Sequence, residues 1–272
     1  MANPTIDQAF IQEFESGVHE AYQRRGSIFS ALVRMRSGVK NKTRFQKYGT
    51  GVATQKARNA VVPPMNNTHT YVDVTTEDWY AGDFIDDLDM LRINHDEMQI
   101  SMNAGGYALG RKADELIVTA AATSTTAADE TTNGATLAWA TTLMTTMGNN
   151  EVPDDGERYA IIGWAQWGKL MALQTFSNSQ YVGADDLPFK NATQAKKWMS
   201  FTWLPWSGYT RSTNETNYAF HRSALGLAIG ADVDSRITYE GTRAAWWAMN
   251  KMQKNACLID TLGVIKCSLK VA

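Results

Sequence analysis

The stretch "NYAFHRSALGLAIG", residues 217–230, carries a histidine at the close of a short apolar run, directly before a train of small residues. Two readings compete for it. In one, His221 is a catalytic imidazole presented at a strand-to-helix turn. In the other, "NYAFH" is a strand feeding a packed helix, "RSALGLAIG", and the imidazole belongs to the scaffold. A nucleophile elbow needs a serine flanked by glycines at the turn. Ser223 in "HRSALG" lacks the first glycine, and no acid–serine pair converges on His221 within the sequence. The scaffold reading is the better one.

Outward from that stretch, residues 135–230 have α/β character. "ATLAWATTLMTTM" predicts a helix by the spacing of Leu137, Ala140, Leu143, Met144 and Met147. "RYAIIGW" reads as a buried strand, "AQWGKLMALQTF" as a short helix, and "KKWMSFTWLPW" as an aromatic strand ended by Pro205. The tail from Ser235 is rich in strand formers, and "IDTLGVI" places a turn near Asp260–Gly263 that would set Cys257 almost opposite Cys267. Two cysteines make no disulfide framework, and both are expected as free thiols in a reducing compartment.

Towards the N-terminus, Ile6, Phe10, Phe14, Val18 and Tyr22 predict an amphipathic helix over 5–25, with Thr5 as its cap and Gly26 as its stop. Residues 42–76 then read as a long two-stranded arm with irregular loops, "HTYVDVTT" being one half-exposed strand. So polar a ribbon is marginal alone and needs a neighbour to hold it. "NHDEMQISMNAGGYALGRKADELIVTAA" is the longest helical stretch, with an Asn94–Glu97 capping box and a partial stripe of Met98, Met102, Leu109, Leu116 and Ala120. Gly105-Gly106 inside it implies a bend or the close approach of another backbone. "TSTTAADETTNG" reads as a polar linker.

The net charge of −2 hides a segregation. Ten basic residues and no acid lie between Ala21 and Val72, whereas nine acids and one arginine lie between Asp73 and Glu97. Adjacent blocks of opposite sign suggest surfaces that meet, within a chain or between copies. The candidates are Arg44, Lys47, Lys56 and Arg58 in the arm and Asp83, Asp86, Asp87 and Asp89 in the acidic belt. Solvated faces are the plainer explanation. The chain has 272 residues and 44% hydrophobic content, enough for one large or two unequal domains. No run reaches a membrane span and the N-terminus has no apolar signal core, so a soluble cytoplasmic origin is expected and the four Asn-x-Thr sequons carry little meaning.

Enzyme signatures are missing. The sequence has no dinucleotide or phosphate-loop glycine pattern, no Cys-x-x-Cys and no His-Glu-x-x-His. His19, His69, His95 and His221 fall in four different segments. Asp96 and Glu97 beside His95 are better explained by helix capping than by a metal. "DFIDDLD" lacks the glycine turn and closing glutamate of a calcium loop. No catalytic residue, cofactor or metal is expected. The clustered tryptophans read as core or interface, and the basic arm, though able to touch nucleic acid, has no groove-reading motif.

The order of parts is more telling than any motif: helix, basic arm, acidic strand region, long helix, inserted α/β region and returning strands. With "YAGDFIDDLD", "AGGYALGRKADELI", "NYAFHRSALGLAIG" and "NACLIDTLGVIKCSL", this order resembles the major capsid protein of tailed bacteriophages, the Hong Kong 97 fold. The resemblance implies an α+β fold with an N-terminal arm at 1–41 and an extended loop at 42–76. It implies a peripheral domain from 77–128 and 231–272 around a long spine helix, and an inserted axial domain at 129–230. It implies hexamers and pentamers in an icosahedral virion shell around double-stranded DNA, assembled in the host bacterial cytoplasm. A portal protein and a separate scaffolding protein are the further partners, the latter because the sequence starts directly in a helix without an internal scaffolding segment. Lys47 and Lys56 lie where some members cross-link, but no acceptor matches. Other readings are a bacterial nanocompartment shell of the same fold, a cytoplasmic α/β enzyme, and a nucleic-acid-binding module.

Overall fold

The computed structural model describes residues 26–90, 96–177, 195–209 and 212–271. The helix expected over 5–25 and the cap at Asn94 lie outside the described residues. The chain forms two compact units. One takes residues 79–111 and 233–252 with the N-terminal 26, and the other takes 27–78, 112–232 and 253–272.

The larger unit is organised by a five-stranded sheet in the order β11-β8-β5-β7-β6. Its strands are β5 (Arg158–Gly163), β6 (Lys196–Trp198), β7 (Phe201–Trp206), β8 (Asn214–His221) and β11 (Val264–Lys270). Period-two alternation sends side chains to two separate cores. Ala160, Ile162, Phe201, Trp203, Ala219, Ile265 and Leu269 join Trp139, Leu143, Met147, Trp167 and Leu170 of helices α3 (Leu137–Asn149) and α4 (Trp164–Met171). Ile161, Trp206, Tyr218, Phe220 and Val264 turn the other way, onto Phe29, Val33, Ile117, Ala120 and Ala121. Both faces are therefore buried, which explains the near-continuous apolar reading of "RYAIIG".

Several expectations are corrected here. Pro205 does not end its strand: β6 pairs only as far as Trp203, so Pro205 sits where that edge of β7 is open and needs no N–H donor. The break falls earlier, at Met199 and Ser200, which take positive φ and turn β6 back into β7. "RSALGLAIG" is not a helix. Residues Arg222–Ala224 make one 3-10 turn, and Leu225 opens β9 (Leu225–Glu240). The small residues serve sheet packing instead, since a side chain at Gly226 would press within 3.0 Å of the Phe45 ring. The Cys257–Cys267 hairpin is absent as well. Cys257 lies on β10 (Ala245–Leu258) in a four-stranded sheet ordered β1-β9-β10-β4, with β1 at Arg34–Ser37 and β4 at Glu77–Asp86. Cys267 lies on β11, which pairs with β8. Both thiols are free and buried, and burial pushes that of Cys257 up to about 11. The linker is not idle either: Ala127 and Glu130 bridge in parallel to Lys266 and Leu269 at the border of β11.

Helix α2 (Glu97–Ala122) is the long helix expected from the sequence. Asp96 caps it, its carboxylate accepting the Gln99 N–H at 3.1 Å. Its buried stripe is Leu109, Ala113, Ile117, Ala120 and Ala121, so Leu116 falls off the stripe that the apolar spacing suggested. A side chain at Gly105 would meet the Asn250 amide at 2.2 Å, whereas Gly106 faces open space. The glycine pair thus serves a close approach at one member only. Among the described residues, no helix is long and apolar enough to cross a membrane.

Candidate assembly surfaces

The extended segment starts as an antiparallel ribbon of β2 (Lys42–Tyr48) and β3 (His69–Thr75), paired from Lys42↔Thr75 to Tyr48↔His69. Phe45 and Val74 turn inward and pack with Val39, Ala228 and Cys257. Asn255 Nδ2 donates to Thr75 O at 2.9 Å, and Lys47 Nζ lies 2.6 Å from Asp260 Oδ2. The chain itself therefore anchors the base of the ribbon, where the sequence suggested that a neighbour must hold all of it. Beyond Gly49, which donates to Thr68 O at 2.9 Å, residues 50–68 hold no strand or helix and are almost wholly exposed. Val61 is 91% exposed, Val52 76% and Val62 68%. Apolar side chains in that state mark a surface shaped for contact rather than for solvent.

The arm's charges fall into two groups. Arg44 donates through Nε and Nη2 to the two oxygens of Asp73 at 2.7 and 3.1 Å, and its guanidinium lies 3.7 Å from the centre of the Tyr71 ring. Lys42 adds a contact at 2.9 Å. Hydrogen bonds from these two cations hold the Asp73 carboxyl well below the usual carboxylate range. Arg44 and Lys47 are thus engaged inside their own chain. Lys56 and Arg58 lie on the exposed loop. In the acidic belt, Asp83, Asp86 and Asp89 are exposed. Asp86 accepts the Leu88 N–H at 2.8 Å and Asp87 accepts the Tyr239 hydroxyl at 2.9 Å. Tyr239 is accordingly held protonated above its ordinary range.

His221 ends β8, buried, between two polar groups. Its Nδ1 accepts the Ser223 hydroxyl at 2.7 Å and the Ser223 N–H at 3.3 Å. Because a backbone N–H can only donate, Nδ1 carries no proton, and Nε2–H donates to the Asp155 carboxylate at 3.1 Å. An acid and a serine do converge on this imidazole, and Asp155, 66 residues away, was invisible to sequence spacing. The order defines the role. The imidazole caps the 3-10 turn with one nitrogen and ties down the 153–157 turn with the other. The backbone N–H of Glu157 and then His221 itself lower the Asp155 carboxyl. Asp155, Glu157 and His221 bring ligand-type atoms within 4.8 Å of one another. Glu157, however, is paired with Arg222 at 2.6 Å, and the proton on Nε2 faces the space a metal would need. The trio is built as a hydrogen-bonded brace.

The family model for phage capsid proteins matches residues 6–271. No curated protein matches the sequence. Among solved structures, the capsid of cyanophage P-SCSP1u aligns with a TM-score of 0.74 at 18% identity, over 96% of this chain and 93% of that one. Mycobacterium phage Che8 gives 0.72 at 14% identity, over 95% and 97%. The head structure of Helicobacter pylori bacteriophage KHP40 gives 0.71 at 10% identity, over 100% and 98%. At such identities the likeness is one of fold, and the function rests on the family match. That match favours a phage shell over the nanocompartment and enzyme readings. Running over nearly the whole sequence, it means that the chain belongs to the phage capsid protein family and works as a major capsid shell protein.

Proposed function

We propose that the chain builds an icosahedral Hong Kong 97-type shell around double-stranded DNA, as hexamers and pentamers, with the extended loop as its main inter-subunit contact. The observation that carries this is the loop itself: residues 50–68 project from an anchored ribbon with Val52, Val61 and Val62 bare. Hiding such apolar surface is worth about 25 cal/mol per Å², and a second copy can cover it in a closed ring. The domain plan on this reading is an arm at 1–41, the loop at 42–76, a peripheral domain from 77–128 and 231–272, and an axial domain at 129–230. Lys56 and Arg58, with a smaller share from Arg44 and Lys47, would then meet a neighbour's Asp83, Asp86, Asp87 and Asp89. A scaffolding protein, a portal protein and non-specifically held DNA complete the assembly in the bacterial cytoplasm. Replacing residues 50–67 by a short turn tests the reading. It should leave a soluble, folded protein that forms no closed particles, whereas normal particles from this variant would refute it.

A further inference from the structure

Strand β9 is bordered by β1 on one side, but only at Gly226–Ile229. Past Ile229 no strand borders that side among the described residues, and residues 231–239 are all exposed. Ile229 O accepts the Val39 N–H at 3.1 Å, so Ile229 points its backbone polar groups to the β1 side. These groups alternate along a strand. Ser235, Ile237 and Tyr239 therefore aim their N–H and C=O groups at the same open side. An edge of this length is a template for another strand.

The sequence along this edge is complementary to itself. A second copy laid antiparallel about Ser235 faces Ser235 with its own Ser235, Asp234 with Arg236, and Val233 with Ile237. Opposite charges and an apolar pair across strands are the stabilising combinations. Moving the centre by one residue sets Asp234 or Arg236 against itself. Moving it by two sets Asp232 against Asp234, or Asp234 against Glu240. In the single chain Asp234 shares Arg236 and Lys251 at 3.3 Å each, all well exposed, so the charges are free to be shared across the new pair.

We propose that β9 pairs with β9 of a second copy, antiparallel and centred on Ser235, as a two-fold contact within the shell. This rests on the shell reading and adds a contact independent of the extended loop. A two-fold contact uses the same patch on both copies, as this one does.

Ser235→Cys tests it in assembled particles. Directly opposite residues of a hydrogen-bonded pair lie about 5.5 Å apart at Cα, inside the range a disulfide spans. Mild oxidation should convert most chains to covalent dimers, while Val233→Cys alone should give few. Closed particles in which the Ser235→Cys chains do not cross-link would overturn the pairing and leave the shell reading standing; a wild-type chain that makes no shells would fail that reading instead. A second pair of variants avoids the thiol. Asp234→Arg or Arg236→Asp should lower particle yield roughly tenfold, and the double reversal should restore it. A double reversal no better than the singles would equally overturn the proposal.

Discussion

The Asp114 carboxylate accepts the backbone N–H of Phe29 at 3.0 Å, across 85 residues of sequence. The same oxygen accepts the Ser27 hydroxyl at 2.6 Å and the Ile28 N–H at 3.1 Å. Asp114 is fully buried on α2, and the residues it holds open the 3-10 turn Ser30–Leu32 that leads into β1. A carboxylate there fixes where the N-terminal segment meets the long helix, because buried N–H groups must find an acceptor. Asp114→Ala removes that acceptor and should cost about 2–4 kcal/mol. Asp114→Asn keeps one oxygen and should cost roughly half as much. Urea unfolding of the unassembled chain measures both, and equal stability of all three proteins would contradict the assignment.

His221 should behave as a brace. Asn at this position keeps an acceptor near the Nδ1 site, and Gln reaches towards Asp155. Each preserves half of the arrangement, so each should lower stability by about 1–2 kcal/mol and leave particle form unchanged. A variant with wild-type thermal stability that fails in one defined chemical step would give the imidazole a chemical role.

The Arg44–Asp73 pair sets an acid limit on the ribbon. The folded carboxyl of Asp73 lies below its ordinary value of 3.8, so its stabilisation is complete above that pH and fades as pH falls through the folded value. Wild-type protein and Asp73→Asn should therefore differ in melting temperature by a constant amount from about pH 5 to 8, and converge only in strong acid. A difference that grows with pH across the neutral range would contradict this sign.

The charge blocks make a test between subunits. Lys56→Glu with Arg58→Glu should weaken assembly and leave the monomer's stability nearly unchanged, because exposed ion pairs contribute little to a single chain. Reversing Asp83, Asp86 and Asp89 to lysine in the same chain should recover part of the loss. Light scattering during assembly reads the effect. A combined variant no better than the first would separate the two blocks.

Much of the fold was legible in the sequence wherever periodicity is strong. "RYAIIG", the 26-residue helix and the β2–β3 ribbon all follow from spacing and turn chemistry. "RSALGLAIG" was misread because small and apolar residues suit a packed helix as well as a buried strand, and only the parallel partner β1 decides between them. The supposed final hairpin failed for a related reason. The turn at Thr261–Gly263 is real, but it hands the chain from one sheet to another. For the assembly surface, the basic arm was visible as charge, while the self-pairing of Arg44 with Asp73 was not. Cross-strand neighbours depend on register, and composition carries none. Asp155 and Asp114 were unreadable for the same physical reason, since each meets its partners through tertiary packing alone.

The central claim is that this chain closes into a shell through its extended loop. Negative-stain imaging of the expressed chain, supplied with its scaffolding partner, tests it most directly. The expected result is closed, icosahedral particles of uniform size from the full chain and none from the chain lacking residues 50–67. A full chain that stays monomeric under these conditions, or a loop-deleted chain that closes normally, would contradict it.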